Sequence, residues 1–108
     1  MSEVRIFEDK ASFEALFEQQ DIRKFKVNGQ KLAIAQTKAG YFAFEALCPH
    51  QKHPLNQGNI HPSGESIICS LHGYQFSLED GKEQNAKCQD LKTYKVGFKE
   101  DGVYLKLY

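Results

Sequence analysis

Two short residue pairs carry the chemistry in this chain: Cys48-Pro49-His50 and Cys69-Ser70-Leu71-His72, with 18 residues between them. They read C-x-H and C-x-x-H. Thiolate and neutral imidazole are soft, strong metal ligands, and four of them complete a tetrahedral site. The stretch 46–76 that holds these pairs also holds all four histidines, two of the three cysteines and all three prolines. It carries only two formal charges, Lys52 and Glu65. Metal-type ligands and loop-forming residues are therefore concentrated where ordinary charge is scarce. Two Cys and two His satisfy a structural zinc ion. The familiar zinc finger, however, groups a Cys pair and a His pair, whereas each loop here offers one of each. That mixed arrangement also suits a two-iron cluster, in which each loop sends its Cys to one iron and its His to the other.

The rest of the composition narrows the class. The chain has 108 residues, the usual size of one domain. Fourteen basic and fourteen acidic residues cancel. This balance argues against nucleic-acid or membrane-surface binding, both of which usually show a basic excess. No apolar run is long enough to span a membrane, and the charged N-terminus does not read as a signal peptide. A cytoplasmic location is the expectation. An odd cysteine count fits poorly with a secreted disulfide framework.

The elements that position the pairs read as all-β. Val4–Phe7 predicts a first strand. Phe13, Leu16 and Phe17, at i, i+3 and i+4, predict one short amphipathic helix over 12–20. The runs 22–27 and 31–37 flank Asn28-Gly29, the dipeptide that a type I′ hairpin turn demands. Phe25, Val27, Leu32 and Ile34 supply its buried face. A turn at Lys38-Ala39-Gly40 leads into a strand at Tyr41–Phe44. Late in the chain, Tyr94, Val96 and Phe98 alternate with polar or small residues, as do Val103, Leu105 and Leu107 after Asp101-Gly102. Each Cys-His pair follows an apparent strand, 41–44 or 67–68, and the expectation is that these strands are adjacent. The architecture expected is an antiparallel β sandwich or barrel carrying a ligand-bearing insertion.

The residues reached so far resemble the Rieske [2Fe-2S] family, and the resemblance runs over most of the chain. It covers the Asn28-Gly29 hairpin, the strand entering Cys-Pro-His, Pro54-Leu55, and Cys-x-x-His-Gly from Cys69 to Gly73. It continues through the aromatic strand Tyr74–Phe76, the turn Glu79-Asp80-Gly81, and Leu91-Lys92-Thr93-Tyr94. The resemblance implies the Rieske fold for 1–108 as a single domain, with a cluster-binding subdomain at about 46–80 and one short N-terminal helix. It implies one [2Fe-2S] cluster per chain, with Cys48 and Cys69 on the inner iron and His50 and His72 on the outer one. Two ferric ions, two sulfides and two thiolates sum to zero charge. An electron therefore enters more easily than in a four-Cys cluster, and potentials of such centres span roughly −150 to +300 mV.

Departures from the pattern place the chain within that span. High-potential members carry a disulfide between the loops, at positions matching His53 and Leu71, and neither is Cys here. Those members also donate hydroxyls from positions matching Tyr74 and Phe76. Phe76 has no hydroxyl, and the Tyr74 ring carries its own far from where a serine hydroxyl would sit. Fewer donors to the reduced cluster imply a potential at the low end. The segment 85–90, which contains proline in many relatives, has none here.

The resulting expectation is a one-electron carrier and not an enzyme. No Ser/His/Asp arrangement, phosphate loop or carboxylate pair accompanies the ligands. Oxygenases of this family add a large mononuclear-iron domain, for which 108 residues leave no room. The partners expected are a reductase and a terminal acceptor, an oxygenase, met by a monomer at a weakly charged tip around Gln51, His53, Pro54, Leu71, Gly73 and Tyr74. His61 reads as a surface turn residue and Cys88 as a structural thiol. The competing readings are the small subunit or accessory domain of a nitrite-type reductase, and a zinc-stabilised binding module without redox role.

Overall fold

The computed structural model describes residues 2–47, 55, 58–69, 73–84 and 90–107. Nine strands and one helix follow in the order β1 (Ser2–Phe7), α1 (Lys10–Ala15), β2 (Ile22–Val27), β3 (Gln30–Thr37), β4 (Gly40–Glu45), β5 (Asn59–Ile60), β6 (Ser66–Ile68), β7 (Gln75–Ser77), β8 (Thr93–Lys99) and β9 (Gly102–Leu107). Six strands form one sheet in the order β1-β9-β8-β4-β3-β2, and β5-β6-β7 form a second. Every pairing is antiparallel. The all-β architecture with one short helix is the one the sequence implies.

The β2–β3 hairpin forms at Asn28-Gly29, with φ of 51° and 81°. Positive φ at both positions gives the type I′ turn whose twist matches its strands. Its ladder then runs from Val27↔Gln30 to Ile22↔Ala35. The large sheet curls so that its two edges approach: the Phe7 ring of β1 lies 6.4 Å from that of Phe25 in β2.

The helix departs from expectation. It spans Lys10–Ala15 and not 12–20. Asp9 caps it, its carboxylate accepting the Ser12 N–H at 2.7 Å. Asp9 thereby starts the helix two residues earlier than the apolar spacing suggests. Leu16 and Phe17 then donate to the carbonyls three residues back, so the last turn tightens and stops. Phe17 still reaches the core from this turn, and Phe13 is fully buried.

Two apolar cores lie on opposite faces of the large sheet. Phe13, Phe17, Leu32, Ile34, Ala43, Val103 and Leu105 pack together beneath α1. Ala33, Ala35, Phe44, Leu55, Ile67, Cys69, Phe76, Leu78 and Leu91 pack on the other face. The alternation of strand side chains splits β3 between them. Phe98 does not join the buried set. It stays exposed beneath Lys10, whose ammonium lies 5.0 Å from the ring centre.

The second core is also the join between the two sheets. The expectation that strands 41–44 and 67–68 are adjacent is wrong: β4 belongs to the large sheet and β6 to the small one. They are joined instead by packing and by three short backbone links. Leu55 N–H donates to the Ala46 carbonyl at 2.8 Å, and Gly58 N–H to the Leu55 carbonyl at 2.9 Å. Gly58 then leads into the two-residue β5, a strand too short to be read from pattern, which pairs Asn59 with Ile68. At Gly58 the backbones nearly touch, since a Cβ there would sit 2.4 Å from the Ile68 carbonyl oxygen.

Two outcomes follow for stability. Gly58→Ala must push β6 aside, an overpacking cost of about 1–3 kcal/mol. The urea midpoint should fall accordingly, and an unchanged midpoint would contradict the close approach. Asp9 has its carboxyl held below the ordinary value of 3.8, first by the Ser12 N–H and then by the Ser12 hydroxyl. A lowered carboxyl pKa stabilises the fold above the unfolded value and loses that stabilisation as pH falls through the folded one. The midpoint gap between wild type and Asp9→Ala should therefore be constant above about pH 5 and close below pH 3.8. A gap unchanged in acid would show that the cap does not act through its charge.

Candidate metal centre

Of the four expected ligands, Cys69 lies among the described residues, and Cys48, His50 and His72 lie outside them. Also outside are Gln51, His53, Pro54, Leu71, Cys88 and the segment 85–89. Among the described residues no three His, Cys, Asp or Glu side chains converge.

Cys69 directly follows β6 and is 2 % exposed. Its N–H donates to the Tyr74 carbonyl at 2.8 Å, and its own carbonyl accepts the Gly73 N–H at 2.9 Å. These bonds tie Cys69 to Gly73 and Tyr74 between β6 and β7. Gly73 makes the tie possible. Its φ of 72° lies in the left-handed region, where a side chain is strained. Cys-x-x-His-Gly is thus a loop whose ends are fixed by its own backbone.

The Cys69 thiol is not in a disulfide. It packs with Ala33, Phe44, Leu55, Ile67 and Phe76. A sulfur bound to a cation carries no uncompensated charge into such neighbours. The surroundings therefore fit a metal-bound sulfur. The strand β4 leads through buried Ala46 to Leu47, which is 39 % exposed and immediately precedes Cys48. Ala46 is tied on both sides: its N–H donates to Lys31 and its carbonyl accepts from Leu55. The chain is thus held two residues before the first cysteine, as it is held at the second.

Phe76 is fully buried in β7, its ring in the shared core, and brings no hydroxyl to the site. The strand expected over 74–76 is shifted by one residue, to Gln75–Ser77. Tyr74 is half-buried and packs on the same core from the loop end. Behind β7, residues 82–84 run antiparallel to it, with Ser77 N–H bonded to Lys82 at 2.9 Å and Gln84 N–H to Gln75 at 2.8 Å. The turn entering this segment is held by Asp80, whose carboxyl is kept below its usual range by the Lys82 N–H.

This pairing buries Glu83 to 6 % exposure, the one buried charged side chain among the described residues. Sequence reasoning passed over it because Lys82-Glu83-Gln84 reads as a polar turn. Gly58 was missed for a similar reason: a close backbone approach leaves no mark in periodicity. His61 is the turn residue expected. Its Nδ1 accepts the Ser63 N–H at 3.0 Å, and its carbonyl accepts the Gly64 N–H at 2.8 Å.

The comparisons with known proteins agree with this geometry. The family model for the Rieske [2Fe-2S] domain matches residues 10–95. The ferredoxin component of the naphthalene 1,2-dioxygenase/salicylate 5-hydroxylase systems of a Ralstonia species is 32 % identical over 91 residues, which cover 81 % of this chain and 83 % of the relative. Among solved structures, the ferredoxin of carbazole 1,9a-dioxygenase from Nocardioides aromaticivorans IC177 superposes with a TM-score of 0.75 at 20 % identity, over 97 % of each chain. A putative nitrite reductase NADPH small subunit superposes at 0.78 and 18 % identity, over 99 % of this chain and 100 % of that one. At these identities the two structures speak for the fold alone. Family, fold and the ligand-bearing loop converge: the chain belongs to the Rieske [2Fe-2S] domain family, carries one [2Fe-2S] cluster, and serves electron transfer, not catalysis.

Proposed function

We propose that the chain is the ferredoxin of a multicomponent oxygenase, taking electrons from a reductase and delivering them to the oxygenase. The observation that carries this reading is the 32 % identity to the Ralstonia ferredoxin component along most of both chains. The protein is read as one domain with a cluster-binding subdomain at about 46–80, acting as a monomer in the cytoplasm. Among the described residues no helix is long and apolar enough to cross a membrane.

Cys48 and Cys69 are assigned to the inner iron, and His50 and His72 to the outer one. When bound, the cluster supplies a site that accepts and releases a single electron. The chain's own residues set how that happens. Buried Cys69 anchors the inner side against the shared core. The histidine side faces the tip around Gln51, His53, Pro54, Leu71 and Tyr74, where a small, transient redox contact suffices. Phe76 leaves the reduced state without a hydroxyl donor at that position, which keeps the potential at the low end.

The purified protein should be coloured and, once reduced, should give the EPR signal of a mixed-ligand two-iron centre. Colourless protein with stoichiometric zinc would overturn the reading in favour of a binding module. His50→Ala and His72→Ala should each lose that centre, with iron and sulfide content falling together, whereas His61→Ala should keep it. A redox titration should place the midpoint in the lower half of the roughly −150 to +300 mV span. A strongly positive midpoint would refute the argument from Phe76. Co-purification with a large nitrite-reducing subunit, in place of a flavin reductase and an oxygenase, would favour the accessory-subunit reading.

A further inference from the structure

The chain's zero net charge conceals a segregation. Residues 1–21 carry six carboxylates and two basic groups, residues 22–44 carry five basic groups and no carboxylate, and the remainder is nearly balanced, with seven basic and eight acidic. The fold then separates most of these charges in space, Asp21 excepted, whose carbonyl accepts the Gln36 N–H at the far end of the hairpin. Helix α1 and the turn after it pack on one face of the large sheet through Phe13 and Phe17, and this neighbourhood carries Glu8, Asp9, Glu14 and Glu18. The lysines of the β2–β3 hairpin lie on the opposite face. Lys24 stands opposite Ala33, which belongs to the core shared with Cys69. Lys26 and Lys31 follow on that face by strand alternation.

Lys26 and Lys31 are directly opposite each other in the ladder, and all three lysines are exposed. Like charges so placed repel. Beyond Lys26 the curl brings up the β1 edge, where Val4, Arg5 and Ile6 line a shared groove with it, and beyond Lys31 comes Ala46; among the described residues none of the three lysines is in an ion pair. The other directly opposed lysine pair, Lys95 and Lys106, has Glu3 opposite Lys106 on the next strand. Among the described residues the one ion pair, Lys99 with Glu3, is also there, away from the hairpin. The hairpin patch adjoins the described start of the first ligand loop, since the Lys31 carbonyl accepts the Ala46 N–H two residues before Cys48.

We propose that Lys24, Lys26 and Lys31 form a cationic docking patch that receives the acidic surface of a redox partner protein beside the cluster. The proposal rests on the electron-carrier reading and adds the charge of the partner. A patch of this kind attracts an oppositely charged surface and orients it before contact, raising the association rate without changing the net charge. The acidic helix on the opposite face sharpens the orientation by repelling the same partner. Edge-strand lysines also discourage strand-to-strand aggregation, a role that needs no partner.

The test uses oxidised full-length holoprotein and a fluorescein-labelled peptide of ten glutamates as the acidic surface, read by anisotropy. Binding at 0.01 M salt should weaken about tenfold in the Lys24→Gln/Lys26→Gln/Lys31→Gln variant and fade for wild type towards 0.1 M salt, as the screening length falls from about 30 Å to about 10 Å. A control with the same charge change, Lys92→Gln/Lys95→Gln/Lys106→Gln, should bind like wild type. Equal loss in both variants, or loss in neither, overturns the proposal. So does tighter binding of a DNA duplex through the same three lysines, or a hairpin variant that aggregates while still binding the peptide. In a second measurement, ferricyanide should oxidise the reduced wild-type protein about tenfold faster at low than at high salt, and the hairpin variant should lose this dependence. A wild-type rate that ignores salt overturns the proposal. The peptide assay needs no electron transfer, so a protein found without a redox cluster would sink the carrier reading while this patch is judged separately.

Discussion

The fold depends on β3 being buried on both faces. Leu32 and Ile34 point into the core beneath α1, while Ala33 and Ala35 point into the core shared with the small sheet. The two sets differ in size for a reason. Large side chains fill the curl of the six-stranded sheet, and small ones let Ile67 and Phe76 of the opposing layer come close. A larger residue at Ala33 would displace the layer that carries Cys69, since packed interiors transmit such changes instead of absorbing them. The metal-bearing loop is thus positioned by a strand that contributes no ligand to it.

The two ligand loops illustrate a division of labour between backbone and side chain. Hydrogen bonds at Ala46, Leu55, Cys69 and Gly73 fix where each loop leaves and rejoins the body. Apolar packing then fixes one body against the other. The described ends of both loops are thus held by the body of the chain, and Cys69 sits in a packed setting that resists rearrangement. For a carrier this matters more than tight binding of any substrate.

Much of this arrangement is legible in the sequence, for identifiable reasons. The β2–β3 hairpin is announced by Asn28-Gly29, because few dipeptides tolerate positive φ twice. The loop at Cys69 is announced by Gly73. The alternation of Val103 and Leu105 shows in β9 because one face of that strand stays wet. Other features are silent. The helix boundary depends on a single cap bond from Asp9, which competes with apolar spacing and wins. The two-residue β5, the contact at Gly58 and the burial of Glu83 arise from segments distant in sequence meeting in space. That the loops spring from different sheets is a matter of topology, which local pattern cannot express. Of the ligand set, the chemistry of Cys48, His50, Cys69 and His72 is read entirely from type and spacing, and the structure adds the setting of Cys69.

The pairing of β1 with β9 has a consequence for how the chain comes to be folded. Ser2 stands opposite Leu107, so the first strand waits for the last. During synthesis at about 5–20 residues per second, β1 has no sheet partner for several seconds. The hairpin β2–β3, strand β4 and the small sheet all emerge earlier, yet β4 still waits for β8, and Leu32 and Ile34 for Val103 and Leu105. Arrival of β9 between β1 and β8 comes last and completes the core beneath α1 in one step.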